Sequence, residues 1–318
     1  MFPSRPPSFI PFITLTFYAL LAPAQATLLV YEPFSLATGD YAAGSISGQN
    51  SSATGFNPAT DWTAALGDVR PINVSTTGLS YDGLQTQAGS GSVTAFRTTA
   101  STGGFTSTAS RNGTAVAPAA VDNILTVWSS FLFNFDLKDI TSNSANPFAL
   151  VIGFERALVV GINVDAHPTL QRTAFSSVGN TSTGSGQFLG ANPLSENTTH
   201  LFLVKAERNF DTNEETFSLW INPTLGVDET ELATPTINIV TSAQFPLFTA
   251  GDSFSLGTRA HLANVSSVSQ ELYWDEFRLG TTLASVTPIP EPGLIALLAG
   301  LTALGAVFQR RAMKMRRM

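Results

Sequence analysis

The chain has 318 residues, only 12% of them charged, no cysteine, and a formal net charge of −7. Without cysteine there can be no disulfide staple, thiolate metal centre or cysteine nucleophile. The acidity also excludes the broad basic surface that nucleic-acid binding needs. The central region is more acidic than the total, because six of the 16 basic residues sit at Arg5, Arg310, Arg311, Lys314, Arg316 and Arg317. The other ten face all 23 acidic residues, a net of about −13.

Residues 1–26 read as a secretion signal. Arg5 supplies the positive start, Phe9 to Ala22 is an apolar run, and Ala24-Gln25-Ala26 places small residues at both key positions of a cleavage site, Ala24 and Ala26. The run is short for a bilayer span.

Residues 27–286 are expected to form one all-β outer domain, two packed antiparallel sheets with no helical segments. Short apolar runs alternate with Gly, Asn, Asp, Ser and Pro clusters, and no long stretch keeps a 3.6-residue period. Leu28 to Tyr31 is the first strand. In Leu125 to Phe135, Val127, Ser129, Phe131, Phe133 and Phe135 share one face and Trp128, Ser130, Leu132 and Asn134 the other, which predicts a central strand. Phe148–Phe154 and Ala157–Val164 predict one hairpin, and Leu201–Ile221, with its turn in Asn209–Glu215, predicts another. Ser253–Thr258 and Glu271–Leu279 supply late strands. About a dozen strands are expected in all, which suits a sandwich.

Tyr31-Glu32-Pro33-Phe34, Ser47-Gly48-Gln49-Asn50, Thr54-Gly55-Phe56 with Trp62, Leu219 to Pro223, and Trp274 to Thr282 resemble successive pieces of LamG-like jelly-roll domains of the concanavalin A type. That resemblance implies a two-sheet antiparallel jelly roll, and it raises glycoside hydrolysis and sugar binding as functions to test. Hydrolysis needs two carboxyls facing one substrate. By two-residue alternation Tyr273, Asp275, Phe277 and Leu279 share one face of their strand and Trp274, Glu276 and Arg278 the other, so Asp275 and Glu276 do not make that pair. Glu271, Asp275 and Glu276 also lack the related hydrolases' spacing. Asp211 to Glu215 lacks the glycine and terminal glutamate of a calcium loop. His167, His200 and His261 are scattered without ligand spacing. No cofactor or metal is expected. Trp128, Trp220 and Trp274 sit in strand patterns and are expected in the core. Trp62, in a loop-like stretch, is the candidate for stacking on a sugar ring.

Residues 287–318 form a tripartite tail: Pro290-Glu291-Pro292, an apolar run placed in a transmembrane helix over about 293–309, and a basic tail 310–318 opening with Arg310 and Arg311. The basic cluster should stay cytoplasmic, leaving everything before it outside. Val286 to Pro292, the short helix and the arginine pair resemble a PEP-CTERM sorting signal. The resemblance implies an exosortase-type processing enzyme as partner, with membrane attachment through the helix, and hosts that make exopolysaccharide. An ordinary single-pass anchor after a Pro-rich linker is the alternative. The leading expectation is a non-enzymatic surface or extracellular-matrix protein, and the second is a carbohydrate-binding module with polysaccharide as partner. A hydrolase comes third.

Overall fold

In a computed structural model of the chain the described residues are 27–37, 39–50, 53–56, 59–64, 72–87, 91–97, 105–116, 118–136, 148–153, 156–162, 166–174, 185–242, 253–262 and 270–289. They form sixteen strands, one four-residue helix and a single 3-10 turn at Glu229–Glu231. In chain order the first eight strands are β1 (Leu28–Glu32), β2 (Gly44–Ser45), β3 (Thr63–Ala64), β4 (Asn73–Ser75), β5 (Ser92–Arg97), β6 (Phe105–Val116), β7 (Ile124–Asp136) and β8 (Phe148–Gly153). The rest are β9 (Arg156–Ile162), β10 (Pro168–Ala174), β11 (Ser185–Leu189), β12 (His200–Asn209), β13 (Glu214–Ile221), β14 (Ile237–Ser242), β15 (Ser253–Leu262) and β16 (Gln270–Gly280). Helix α1 is Leu283–Val286.

A nine-stranded sheet runs β14-β13-β12-β7-β16-β5-β4-β2, with β1 also on β16, and a seven-stranded sheet runs β11-β10-β9-β8-β15-β6-β3. Every pairing among them is antiparallel. One apolar cluster joins Phe131, Phe133, Phe202, Phe217 and Trp274 of the larger sheet to Ala109, Leu158, Val160 and Leu256 of the smaller. The two sheets are therefore the layers of a sandwich around a shared core.

Alternation decides which residues enter that core. In β7 the odd-numbered Leu125, Val127, Phe131, Phe133 and Phe135 lie in it. Trp128 and Leu132 project from the opposite face into two smaller clusters. The strand lies between β12 and β16, the central place its sequence predicts. Phe202, Val204 and Ala206 of β12 and Phe217 and Leu219 of β13 share the core face of the predicted hairpin. The β8–β9 hairpin also forms where predicted, with Gly153 opposite Ala157.

The outer face of the larger sheet is covered over its centre. Leu79 and Leu84 pack on Leu132 and Leu201. Val286 of α1 packs with Trp128, Leu203 and Trp220, and the Trp128 and Trp220 rings stack at 5.7 Å. Ser130 donates to the Val286 carbonyl at 2.5 Å, and the Gln85 amide donates to the Pro288 carbonyl at 2.8 Å. The segment after β16 is thus strapped along the sheet as far as Ile289.

The alternation predicted for β16 fails in its middle. Leu272, Trp274, Phe277 and Leu279 all enter the shared core, so Tyr273 and Phe277 do not share a face. The register of β16 against β7 shifts between Asp275 and Arg278, and Glu276 takes a left-handed φ of 54°. An extra residue is bulged out there. Strand β7 flanks β16 before and after the bulge, pairing with Glu271–Asp275 and with Arg278–Gly280. On the other side the partner is β5 over Gln270–Trp274 and β1 over Phe277–Gly280. The bulge falls where that partner changes.

Candidate functional site

Two polar constellations stand out on the larger sheet, one closed and one open. The closed one is built by the β16 bulge. The Asp275 carboxylate accepts from the amides of Leu79 at 2.9 Å and of Glu276 at 2.7 Å. Glu276 accepts from the Gln87 amide at 2.6 Å, the Tyr31 hydroxyl at 2.8 Å and Arg278 at 2.8 Å. Arg278 also donates to the Gln85 carbonyl and lies over the Tyr31 ring at 4.7 Å. Its Nη1 is buried without a partner among the described residues. Asp275 and Glu276 are both fully buried, and their oxygens hold the 79–87 segment and β1. They fasten loops and face no substrate.

Burial holds the Glu276 carboxyl above the usual carboxylate range, against the pull of Arg278 and the three hydrogen bonds. Burial and Glu276 likewise push the Tyr31 phenol far above its ordinary value. A carboxyl raised on folding adds stability in full below its unfolded value, and that stability is lost as pH rises through the folded value. Relative to Glu276→Gln, the native chain should therefore gain stability as pH falls from neutrality into the carboxylate range. Denaturant melts of both chains across that window would show it, and parallel profiles would refute it.

The open constellation lies at the other end of β16. Trp274 pairs in register with Phe133 and Val93, and Val93 with Val74, all core residues. The next row runs Asn134, Tyr273, Thr94, Asn73, Ser45 across five strands. Because side chains alternate, Asn134, Tyr273, Asn73 and Ser45 of this row occupy the face turned away from the core. A cleft of about 360 Å³ opens over it, lined among others by Asn73, Ser75, Thr76, Glu271 and Tyr273. The Tyr273 hydroxyl donates to Glu271 at 2.9 Å. Tyr273 is half-buried and Glu271 exposed. An aromatic face, a carboxylate, an amide and two hydroxyls thus converge on one opening. Such a set can stack on an apolar ring face and exchange hydrogen bonds with ring hydroxyls.

Glu271 is the one charged residue among those described as lining the cleft. Asp136 is its register partner on β7, but Asp136 is buried and has contacts of its own. Sequence reading set Glu271 aside with Asp275 and Glu276, and missed the cleft.

Trp62 is not where its sequence context suggested. It is 1% exposed, and its Nε1 donates to the Tyr41 hydroxyl at 2.8 Å. It offers no face to a sugar. Trp128, Trp220 and Trp274 are buried as expected. His200 starts β12, buried and hydrogen-bonded to the Ser195 carbonyl and Asn222, and His167 bonds the Gly190 carbonyl. No group of three or more metal-ligating side chains occurs among the described residues. Asp211 to Glu215 form the turn and start of the β12–β13 hairpin, Asp211 accepting from Asn123 at 3.0 Å. Ala24, Ala26, Pro290, Glu291, Pro292, Arg310 and Arg311 lie outside the described residues. Among those described, no helix is long and apolar enough to cross a membrane.

No family model matches the chain, and no curated protein does. Solved structures similar to it include the winged bean acidic lectin complexed with methyl-alpha-D-galactose, at 9% identity, covering 70% of this chain and 98% of the lectin, TM-score 0.36. Another is the CBM2 module of the evolved Dit protein of Lactobacillus casei BL23 phage J-1, at 11% identity, covering 81% and 96%, TM-score 0.37. A third is a protein of unknown function from Shewanella oneidensis MR-1, at 11% identity, covering 90% and 100%, TM-score 0.37.

Proposed function

We propose that the chain is an exported surface protein whose β-sandwich, a jelly roll of the concanavalin A type, binds polysaccharide through the cleft at Tyr273 and Glu271. The observation that carries this reading is the convergence of Tyr273, Glu271 and Asn73 on one open cleft. The likeness to lectins adds architecture only. The module is non-enzymatic in this reading, since the cleft presents a single carboxylate among its described lining residues and hydrolysis needs two across the substrate.

The ends deliver it. Residues 1–26 direct export, and residues 287–318 act as a PEP-CTERM-type signal, with Pro290-Glu291-Pro292 presented to an exosortase-type enzyme and the apolar run held in the membrane. The order of motif, apolar run and arginine pair supports this. The chain then stays at the surface or joins the exopolysaccharide layer.

A glycan array probed with the full-length chain in detergent tests the binding reading. Binding is expected to at least one polysaccharide, and Tyr273→Ala should weaken it about tenfold, the effect of losing one aromatic anchor. Absence of binding across the array would remove the function from this cleft. Mass spectrometry of the mature chain tests the ends: loss of residues 1–26 and a new terminus near Pro290 are expected, and an intact Met318 would count against tail processing.

A further inference from the structure

The cleft's charge carries the polysaccharide reading, on which this inference rests, one step further. Glu271 is the charged member of the described lining, alongside the uncharged Asn73, Ser75, Thr76 and Tyr273. The body that carries the cleft, residues 27–286, has ten basic residues against 22 acidic ones. An anionic sugar approaching here meets a like charge and a like field. An ammonium group meets a carboxylate whose other neighbour is an aromatic face, and both attract it.

We propose that the cleft selects glycans carrying protonated amino groups, polymers of partly or fully N-deacetylated hexosamine, over neutral and uronic-acid polymers. The Glu271 carboxylate takes the ammonium while the Tyr273 ring backs the sugar. Asn73, Ser75 and Thr76 bond the hydroxyls that all hexoses share, so discrimination falls to Glu271. The Tyr273 hydroxyl, donating to Glu271 at 2.9 Å, fixes that carboxylate beside the ring.

An acidic protein also attracts any polycation non-specifically, so the test has to separate the cleft from the net charge. Short oligosaccharides of glucosamine, of N-acetylglucosamine and of a hexuronic acid are titrated into the full-length chain in detergent at mildly acidic pH. The native chain should favour the amino oligomer over its acetylated counterpart about tenfold and show no uptake of the uronate. Glu271→Gln should bring the two hexosamine oligomers to parity. Glu214→Gln removes the same charge from an exposed site at the opposite end of the sheet, where Glu214 pairs with Asn209 and Asn209 with Ile124, and it should leave the preference intact. Raising the pH until the amine is neutral should abolish the preference. A preference that Glu214→Gln erodes as much as Glu271→Gln overturns the assignment in favour of bulk charge. Equal binding of both hexosamine oligomers, lost in Tyr273→Ala, overturns the selectivity and leaves the binding reading standing. Binding of none of the three, with an empty glycan array, overturns both.

Discussion

Glu32→Ala is expected to lower the free energy of unfolding by about 3–5 kcal/mol, the cost of leaving a buried charge without its partner. Glu32 ends β1 of the larger sheet and Arg111 lies in β6 of the smaller, so their ion pair, Arg111 Nη1 to Glu32 Oε2 at 3.3 Å, crosses the sandwich. Both side chains are sealed from solvent. Glu32 also accepts from the Tyr41 hydroxyl at 2.8 Å and the Phe34 amide at 3.1 Å, and Phe34 has a left-handed φ of 47°. The carboxylate therefore pins the bend that ends β1. Arg111 donates Nε to the Thr60 carbonyl at 2.9 Å and lies over the Phe56 ring at 4.6 Å. Arg111→Met should be similarly costly, because it strands Glu32. The double substitution Glu32→Gln with Arg111→Met removes both charges and keeps an acceptor for the Phe34 amide. It should lose markedly less than the single changes Glu32→Gln and Arg111→Met added together. Chemical denaturation of the four chains closes the cycle. Additive losses, or a Glu32→Ala loss under about 1 kcal/mol, would show that the pair does not hold the layers together.

Much of the architecture was legible because alternation is a local signal. In β7 and β12 both faces are apolar, Phe131 and Phe202 on one and Leu132 and Leu203 on the other. A sheet apolar on both faces must be covered on both, and the outer cover is the 79–85 segment and α1. The β16 bulge was missed because a strict two-residue count has no place for an extra residue. The signal was nonetheless present: the large apolar residues Leu272, Trp274, Phe277 and Leu279 are spaced two, three, two, and the three marks the bulge. Once it is allowed for, Asp275 and Glu276 both turn to hydrogen-bond loops on the outer side, which the simple count divided between faces. Trp62 was misread for a different reason. It precedes a strand of only two residues, Thr63–Ala64, too short to show a period, and its burial depends on Tyr41 and Phe34, which pair with it only in three dimensions. The cleft was illegible on the same ground. Asn73 and Glu271 come from distant parts of the chain and meet only through the register β4-β5-β16.

Trp274→Ala should cost about 3–5 kcal/mol, the range for emptying a large aromatic from a core. Trp274 is fully buried, and the Phe34 ring meets it edge-on at 4.7 Å and 89°. Trp62 lies 6.4 Å away. Its row neighbours, Phe133 and Val93, are in β-ladders of the central strands, so they cannot collapse into the vacated space without bending the sheet. Trp274→Phe keeps part of the ring contact and should lose about half as much. The same Phe34 that packs on Trp274 has its amide held by Glu32, and Trp62 reaches Glu32 through Tyr41. The aromatic cluster and the buried ion pair are thus one structure, apolar on one side and ionic on the other. Glu32→Ala combined with Trp274→Ala should therefore deviate from additivity by at least about 0.5 kcal/mol, beyond what independent sites show. Additive losses in denaturant melts of the single and double variants would mean that Phe34 moves freely between them, and that the bend after β1 is held by something other than this cluster.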